Sequence, residues 1–160
     1  MQAKLGVPEK DPFQWTSQAG FLGQGLRKTE SISALINLAA ADVLKAKGVP
    51  ANKGNSANMQ EGMKDVFLDV SQNPTRKPWT NRRGHNHTLC TSSVLYSFAQ
   101  DRMLFPEEYM FLQGWSHHMQ VEESFRDELR ELAGLGMALP CLGSLIWALY
   151  LVKGFPHSDS

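Results

Sequence analysis

Four groups of residues in this 160-residue chain carry side chains that could do chemistry. Pro140-Cys141 sets a thiol after a proline, and a thiolate is a nucleophile where a base or cation lowers its pKa. Leu142 follows, and the pair lies within an apolar helical pattern, so Cys141 reads as a small core thiol. His85, His87 and Cys90 offer soft ligands, but a structural zinc takes four and no fourth ligand follows at regular spacing, so no metal site is expected. Phe21-Leu22-Gly23-Gln24-Gly25 could present backbone amides to an anion if it joined a buried strand to a helix start. Residues 11–20 lack a strand pattern, so it reads as a loop. The fourth group is basic. Arg76, Lys77, Arg82 and Arg83 flank Trp79 and precede Thr88, and cations so clustered neutralise nucleic-acid phosphates without reading sequence.

The elements that position these groups follow from periodicity. Residues 1–27 hold Gly6, Pro8, Pro12, Gly20, Gly23 and Gly25 among isolated aromatics, and read as an irregular lead-in. A helix should begin near Thr29 or Ser31, because either can cap it, and Ile32, Leu35, Ile36, Ala39, Val43 and Leu44 share one face. Lys45 and Lys47 suit the negative end of its dipole, and Gly48 with Pro50 ends it. Residues 50–62 are rich in Asn, Gly and Ser and should form a loop. Val66 to Val70, Thr88 to Thr91 and Val94 to Phe98 read as short strands. Pro106 suits the first turn of a helix reaching Gln113, with Gly114 as its stop. A polar helix should cover Glu122 to Ala133, its acidic residues solvated and paired with Arg126 and Arg130. The apolar run from Leu139 to Val152 is shorter than the ~20 residues a membrane crossing needs, so a buried helix is expected. Trp15, Trp79, Trp115 and Trp147 are expected to be core or packing residues, Trp115 between the recognition region and the last helix. The whole is a helix-rich α+β chain without the strand-helix alternation of a nucleotide-binding sheet.

Formal net charge is zero, so no global field marks a polyanionic partner. The distribution is uneven. Val70 to Gln100 holds no Asp or Glu, whereas Asp101 to Glu131 holds eight. Cys90 and Cys141 alone fix no disulfide framework, and Met1 to Lys10 has no apolar signal core. An intracellular, reducing setting is expected: nuclear in a eukaryote, otherwise cytoplasmic, with no membrane partner.

One ordered set of residues remains. Arg102, Leu104, Glu108, Leu112-Gln113-Gly114 and Trp115 are followed by Gly134, Met137 and Pro140, and preceded by Thr88-Leu89. This set resembles the last two motif blocks, and the close of the target-recognition region, of the cytosine-C5 DNA methyltransferases. The resemblance covers roughly residues 71–153. Phe105 stands where the family usually has Thr, Ser116 where Pro is common, and Leu135 where an Asn helps hold S-adenosylmethionine.

The resemblance implies a partial methyltransferase-like domain over 28–160. The recognition-region end would be 71–100, and the two blocks 101–116 and 134–153. It implies DNA contact through Arg76, Lys77, Arg82, Arg83 and Thr88, and organisation of the block by Arg102, Glu108, Gly114 and Trp115. S-adenosylmethionine would be contacted at Gly134, Gly136 and Met137 in a full-length parent. The family's thiolate nucleophile sits in a Pro-Cys-Gln loop and its supporting Glu in a Glu-Asn-Val segment; neither string occurs here. The expectation is therefore a C-terminal part that is inactive alone, whose parent would transfer methyl to C5 of cytosine. The alternative is a non-catalytic DNA-binding or scaffold module. Its partners would be DNA, bound weakly, and a missing catalytic portion or complementing chain. Without that partner, Leu142, Leu145, Ile146 and Leu149 should leave an exposed apolar patch, and the chain should self-associate.

Overall fold

The computed structural model describes residues 14–17, 21–27, 29–50, 56–81, 83–116 and 118–153. They form an α+β arrangement of five α-helices and a three-stranded antiparallel sheet. The chain divides into two compact units. One gathers the described residues up to Thr88 together with 93–104; the other gathers 89–92 and the residues from 105 onward.

The first unit begins with a 3-10 turn at Trp15–Ser17, then helix α1, Glu30–Ala46. Thr29 is the N-cap, its side-chain oxygen accepting from the Ile32 amide at 3.3 Å. At the other end Gly48 takes a left-handed φ of 68°, which lets the Val49 amide reach back to the Leu44 carbonyl at 2.9 Å. The buried face is Leu35, Ile36, Leu38, Ala39, Ala40, Val43 and Leu44.

Residues 50–62, expected as a loop, contain helix α2, Ser56–Met63. Its polar composition hides two buried residues four apart, Met59 and Met63, that join the α1 core. Strands β1, Phe67–Asp69, β2, Leu95–Ser97, and β3, Arg102–Met103, follow in register, with Leu68 opposite Tyr96 and Tyr96 opposite Met103. The strand expected over Thr88 to Thr91 does not form: those residues are irregular and turn. Strand β3 was not expected.

The lead-in is more structured than its composition suggests. Trp15 is buried and meets Phe98 edge-on at 5.3 Å, and Phe98 meets Tyr96 likewise at 5.1 Å. The glycine-rich loop curls around Asp101. That carboxylate accepts from the Leu22 amide at 2.5 Å, the Gly23 amide at 3.0 Å and the Tyr96 hydroxyl at 2.7 Å. The loop's amides thus face an anion, and the anion is the chain's own Asp101. Burial, then the bond to Asp101, raises the Tyr96 phenol above its ordinary range.

The second unit contains helix α3, Pro106–Leu112, a 3-10 segment at Glu123–Glu128, helix α4, Leu129–Leu135, and helix α5, Leu139–Lys153. The polar helix expected over 122–133 is therefore a 3-10 segment that widens into a short α-helix. Phe105 caps α3 with no side-chain cap bond, since Phe carries no hydrogen-bonding group; Glu108 accepts from the Phe105 amide at 2.7 Å. Arg126 pairs with Glu107 of α3 and with Glu123 at 3.5 Å, tying the 3-10 segment to α3. Helix α4 packs on α3 through Leu129 and Ala133, against Tyr109 and Met110.

Helix α5 forms where expected, but it is exposed rather than buried. Leu145 is 53% exposed, Leu151 67% and Val152 83%, and a stacked pair, Trp147 and Tyr150, stands out from it. Successive residues turn about 100° around a helix, so this exposure covers every face rather than one stripe. Taken together, Leu129–Val152 is long and apolar enough to cross a membrane, but residues 136–138 break it into two helices and α4 is held by α3. Trp115 and Trp147, expected to be core or packing residues, are both exposed; Trp15 and Trp79 are buried.

Candidate functional site

Of the residues resembling the two family blocks, Arg102 and Leu104 lie in the first unit, and those from Phe105 onward meet in the second. Gln113, just past α3, is 8% exposed, and its side-chain amide donates to the Ala133 carbonyl of α4 at 2.6 Å. Its own carbonyl accepts from the Leu139 amide at the start of α5, at 2.7 Å. One side chain and its backbone therefore clasp both ends of the segment 133–139. Gly114 turns away with φ 88°, and an added Cβ would stand 2.6 Å from Cδ of Pro140. Gly134 lies against the turn at 89–92: a Cβ there would be 2.6 Å from the Cys90 carbonyl oxygen and nearer still to the Thr91 amide. Glycine is required at both positions by close approach of backbone or ring. Cys90-Thr91, Gln113-Gly114, Gly134 and Pro140 thus belong to one knot, although 50 positions separate the first from the last.

S-adenosylmethionine does not fit what the last block offers by itself. Gly136 already donates its amide to the Leu132 carbonyl at 2.9 Å, Gly134 is closed over by Cys90 and Thr91, and Leu135 and Met137 are exposed apolar side chains. Cys141 is exposed in the first turn of α5, and among the described residues no base is hydrogen-bonded to its thiol. Trp115, an expected organiser of the block, contributes its amide, bonded to the Met110 carbonyl at 3.1 Å, while its ring is exposed. Arg102 lies on β3 in the first unit, where its guanidinium donates to the Met103 carbonyl at 2.9 Å.

The basic segment lies in the first unit. Asn73 caps a 3-10 turn, Pro74–Arg76, and Lys77 follows with a left-handed φ of 50°, a strained geometry for a residue with a Cβ. That turn sends the Lys77 ammonium to Asp42 on α1 at 3.1 Å and leaves its carbonyl to His87, whose Nε2 lies at 2.8 Å. Asp42 also accepts from the Trp79 indole nitrogen at 3.1 Å. The Asn81 carboxamide oxygen accepts from the Arg83 amide at 2.8 Å and the His85 amide at 3.1 Å, closing the following turn. Arg83 and Thr88 are exposed; Arg82 lies outside the described residues.

Between α1 and this segment lies a cavity of about 500 Å³, with Val43, Val66 and Trp79 among its apolar walls and Arg76, Asp65 and Asn81 among its polar ones. The structure thus brings Arg76 and Lys77 together with His87 and leaves Arg83 out. Sequence reasoning missed Asp42 and Asp65. A lone Asp on an otherwise apolar helix face was the available signal for Asp42, and Asp65, beside Lys64, gave none. Among the described residues no group of three or more His, Cys, Asp or Glu side chains is placed to hold a metal ion.

Comparison of the chain with protein-family models, with curated proteins and with solved structures gives no match.

Proposed function

We propose that the chain is the recognition end of a cytosine-C5 DNA methyltransferase-like protein and does no chemistry on its own. The observation that supports this reading is the knot in the second unit. Segments chosen only because they resemble family blocks close on each other through Gln113, Gly114, Gly134 and Pro140. The knot fixes the start of α5 relative to α3 and α4. The basic segment Arg76 to Thr88 supplies phosphate contact with DNA. Nucleophile, supporting Glu and methyl-donor site belong to a catalytic part with its own Pro-Cys-Gln and Glu-Asn-Val segments. Such a part would also cover α5, whose exposure on every face favours a complementing catalytic portion or chain over a free-standing module.

Two measurements test this. Incubated with labelled S-adenosylmethionine and cytosine-containing DNA, the chain should transfer no methyl group; transfer above background overturns the inactivity. Its affinity for duplex DNA should fall steeply with salt and weaken in Arg76→Ala and Arg83→Ala. Absent or salt-insensitive binding overturns the recognition role.

A further inference from the structure

The cations of the basic segment are not equivalent. Arg76 and Arg83 are exposed, and their guanidinium groups meet no partner among the described residues. Lys77 differs. Its ammonium donates to both carboxylate oxygens of Asp42 on α1, at 3.1 and 3.4 Å. Each partner is held in place by bonds of its own. On the lysine side, the Lys77 amide donates to the Pro74 carbonyl at 3.0 Å. The Lys77 carbonyl accepts from the Trp79 amide at 2.7 Å and from His87 Nε2 at 2.8 Å. These bonds keep Lys77 at its left-handed φ of 50°, and strain maintained by surrounding structure gathers at functional sites. On the aspartate side, the indole nitrogen of the buried Trp79 donates to Oδ2 at 3.1 Å and fixes the carboxylate. The pair is still open to solvent, with the lysine side chain 50% and the aspartate side chain 38% exposed.

An anion therefore already sits where a phosphate would sit on Lys77. We infer that Asp42 is an internal competitor of DNA: it neutralises Lys77, withholds that cation from the phosphates and holds the segment's affinity below what its sequence offers. This inference rests on the reading that residues 76–88 contact DNA and adds how that contact is restrained. A lysine that stays paired with Asp42 neutralises no phosphate and releases no counterion from DNA, so the contact runs through the uncommitted Arg76 and Arg83. Asp42 also has a structural role, its bond to Trp79. The two roles are chemically separable. An asparagine oxygen still accepts from the indole, but a neutral carboxamide exerts no ionic hold on the ammonium.

The test measures binding of the full chain to one short DNA duplex over a range of salt concentrations. Asp42→Asn should bind about two- to fivefold more tightly than the parent, the scale of one exposed ion pair. Its slope of log affinity against log salt should steepen by about 0.9, one phosphate's worth. Asp42→Asn with Lys77→Gln should return the slope to the parent's, because the released cation is gone. Lys77→Gln alone should leave the parent's slope unchanged, since the charge it removes was already neutralised; this arm stands even where Asp42→Asn disturbs the fold, which circular dichroism would show. An unchanged slope in Asp42→Asn, a steeper slope that survives the double substitution, or a shallower slope in Lys77→Gln alone overturns the inference. Salt-dependent binding by the parent in those cases leaves the phosphate-contact reading standing. Binding by neither parent nor Asp42→Asn overturns both. Lys77-dependent binding by Asp42→Asn alone supports the competitor and denies the parent its recognition role.

Discussion

Replacing Gly134 by Ala tests the knot directly, because two effects of known size act in opposite directions. In an open helix Gly→Ala stabilises by about 1 kcal/mol, since Ala gives up less backbone freedom. Gly134 is not in the open. A Cβ there would lie 2.6 Å from the Cys90 carbonyl oxygen, where ordinary contact begins near 3.4 Å, so backbone on one side must retreat by about 1 Å. If the 89–92 turn yields, well-packed backbone is forced apart, at about 1–3 kcal/mol. If α4 yields, the 2.6 Å bond from Gln113 to the Ala133 carbonyl breaks and leaves a buried amide unsatisfied, at about 1–3 kcal/mol. After subtracting the helix gain of about 1 kcal/mol, the net loss is up to about 2 kcal/mol, a sizeable part of a typical stability of about 5–15 kcal/mol. Gly143→Ala is the control: nothing lies within 4 Å of its Cβ position, so the same substitution in α5 should stabilise. Urea unfolding, with amide hydrogen exchange in α4 as the local readout, measures both. Equal stabilisation by the two substitutions would refute the close approach at Gly134 and the knot built on it.

Three further outcomes follow from the geometry. The raised Tyr96 phenol binds its proton more tightly in the folded than in the unfolded chain. Its contribution is therefore fully present below the ordinary phenol pKa near 10 and falls above it, by up to about 1.4 kcal/mol per pH unit; urea midpoints of the parent minus Tyr96→Phe should show this, and a flat difference refutes it. Exposed α5 should drive self-association, so sedimentation should find oligomers that Leu145→Lys with Leu149→Lys dissolves; a monodisperse parent contradicts the exposure. Arg83, exposed and outside the cavity lining, should act as a phosphate contact, and Arg83→Ala should lower the slope of log affinity against log salt by about 0.9; an unchanged slope removes Arg83 from the contact.

Local signals were legible where they determine structure locally. Thr29, the apolar face of α1 and Gly48 together mark that helix, because cap, stripe and stop lie within about 20 residues and need no distant partner. Pro106 and Gly114 bound α3 for the same reason. Helix α2 was hidden: its composition is that of a loop, and its only apolar anchors, Met59 and Met63, gain meaning from α1 beneath them. Strand β3 is two residues long and exists because β2 lies beside it. The turn at 89–92 reads as a strand from Thr88, Leu89 and Thr91, but Gly134 presses on its backbone from 44 positions away. The cavity was legible only from its basic side, since Asp42 and Asp65 reach it from separate elements. Periodicity found α5 and mistook its surroundings, because an all-apolar pattern states what a helix avoids and not what covers it.

The division of the chain into units has a consequence for how it can be cut. Residues 89–92 belong to the second unit, yet the chain enters them from the first and returns to it at 93 before leaving again at 105. The polypeptide is therefore threaded out, back and out once more, and no single scission separates two self-sufficient pieces. A fragment starting at 105 would keep all three helices of its unit and lose the four residues on which Gly134 rests.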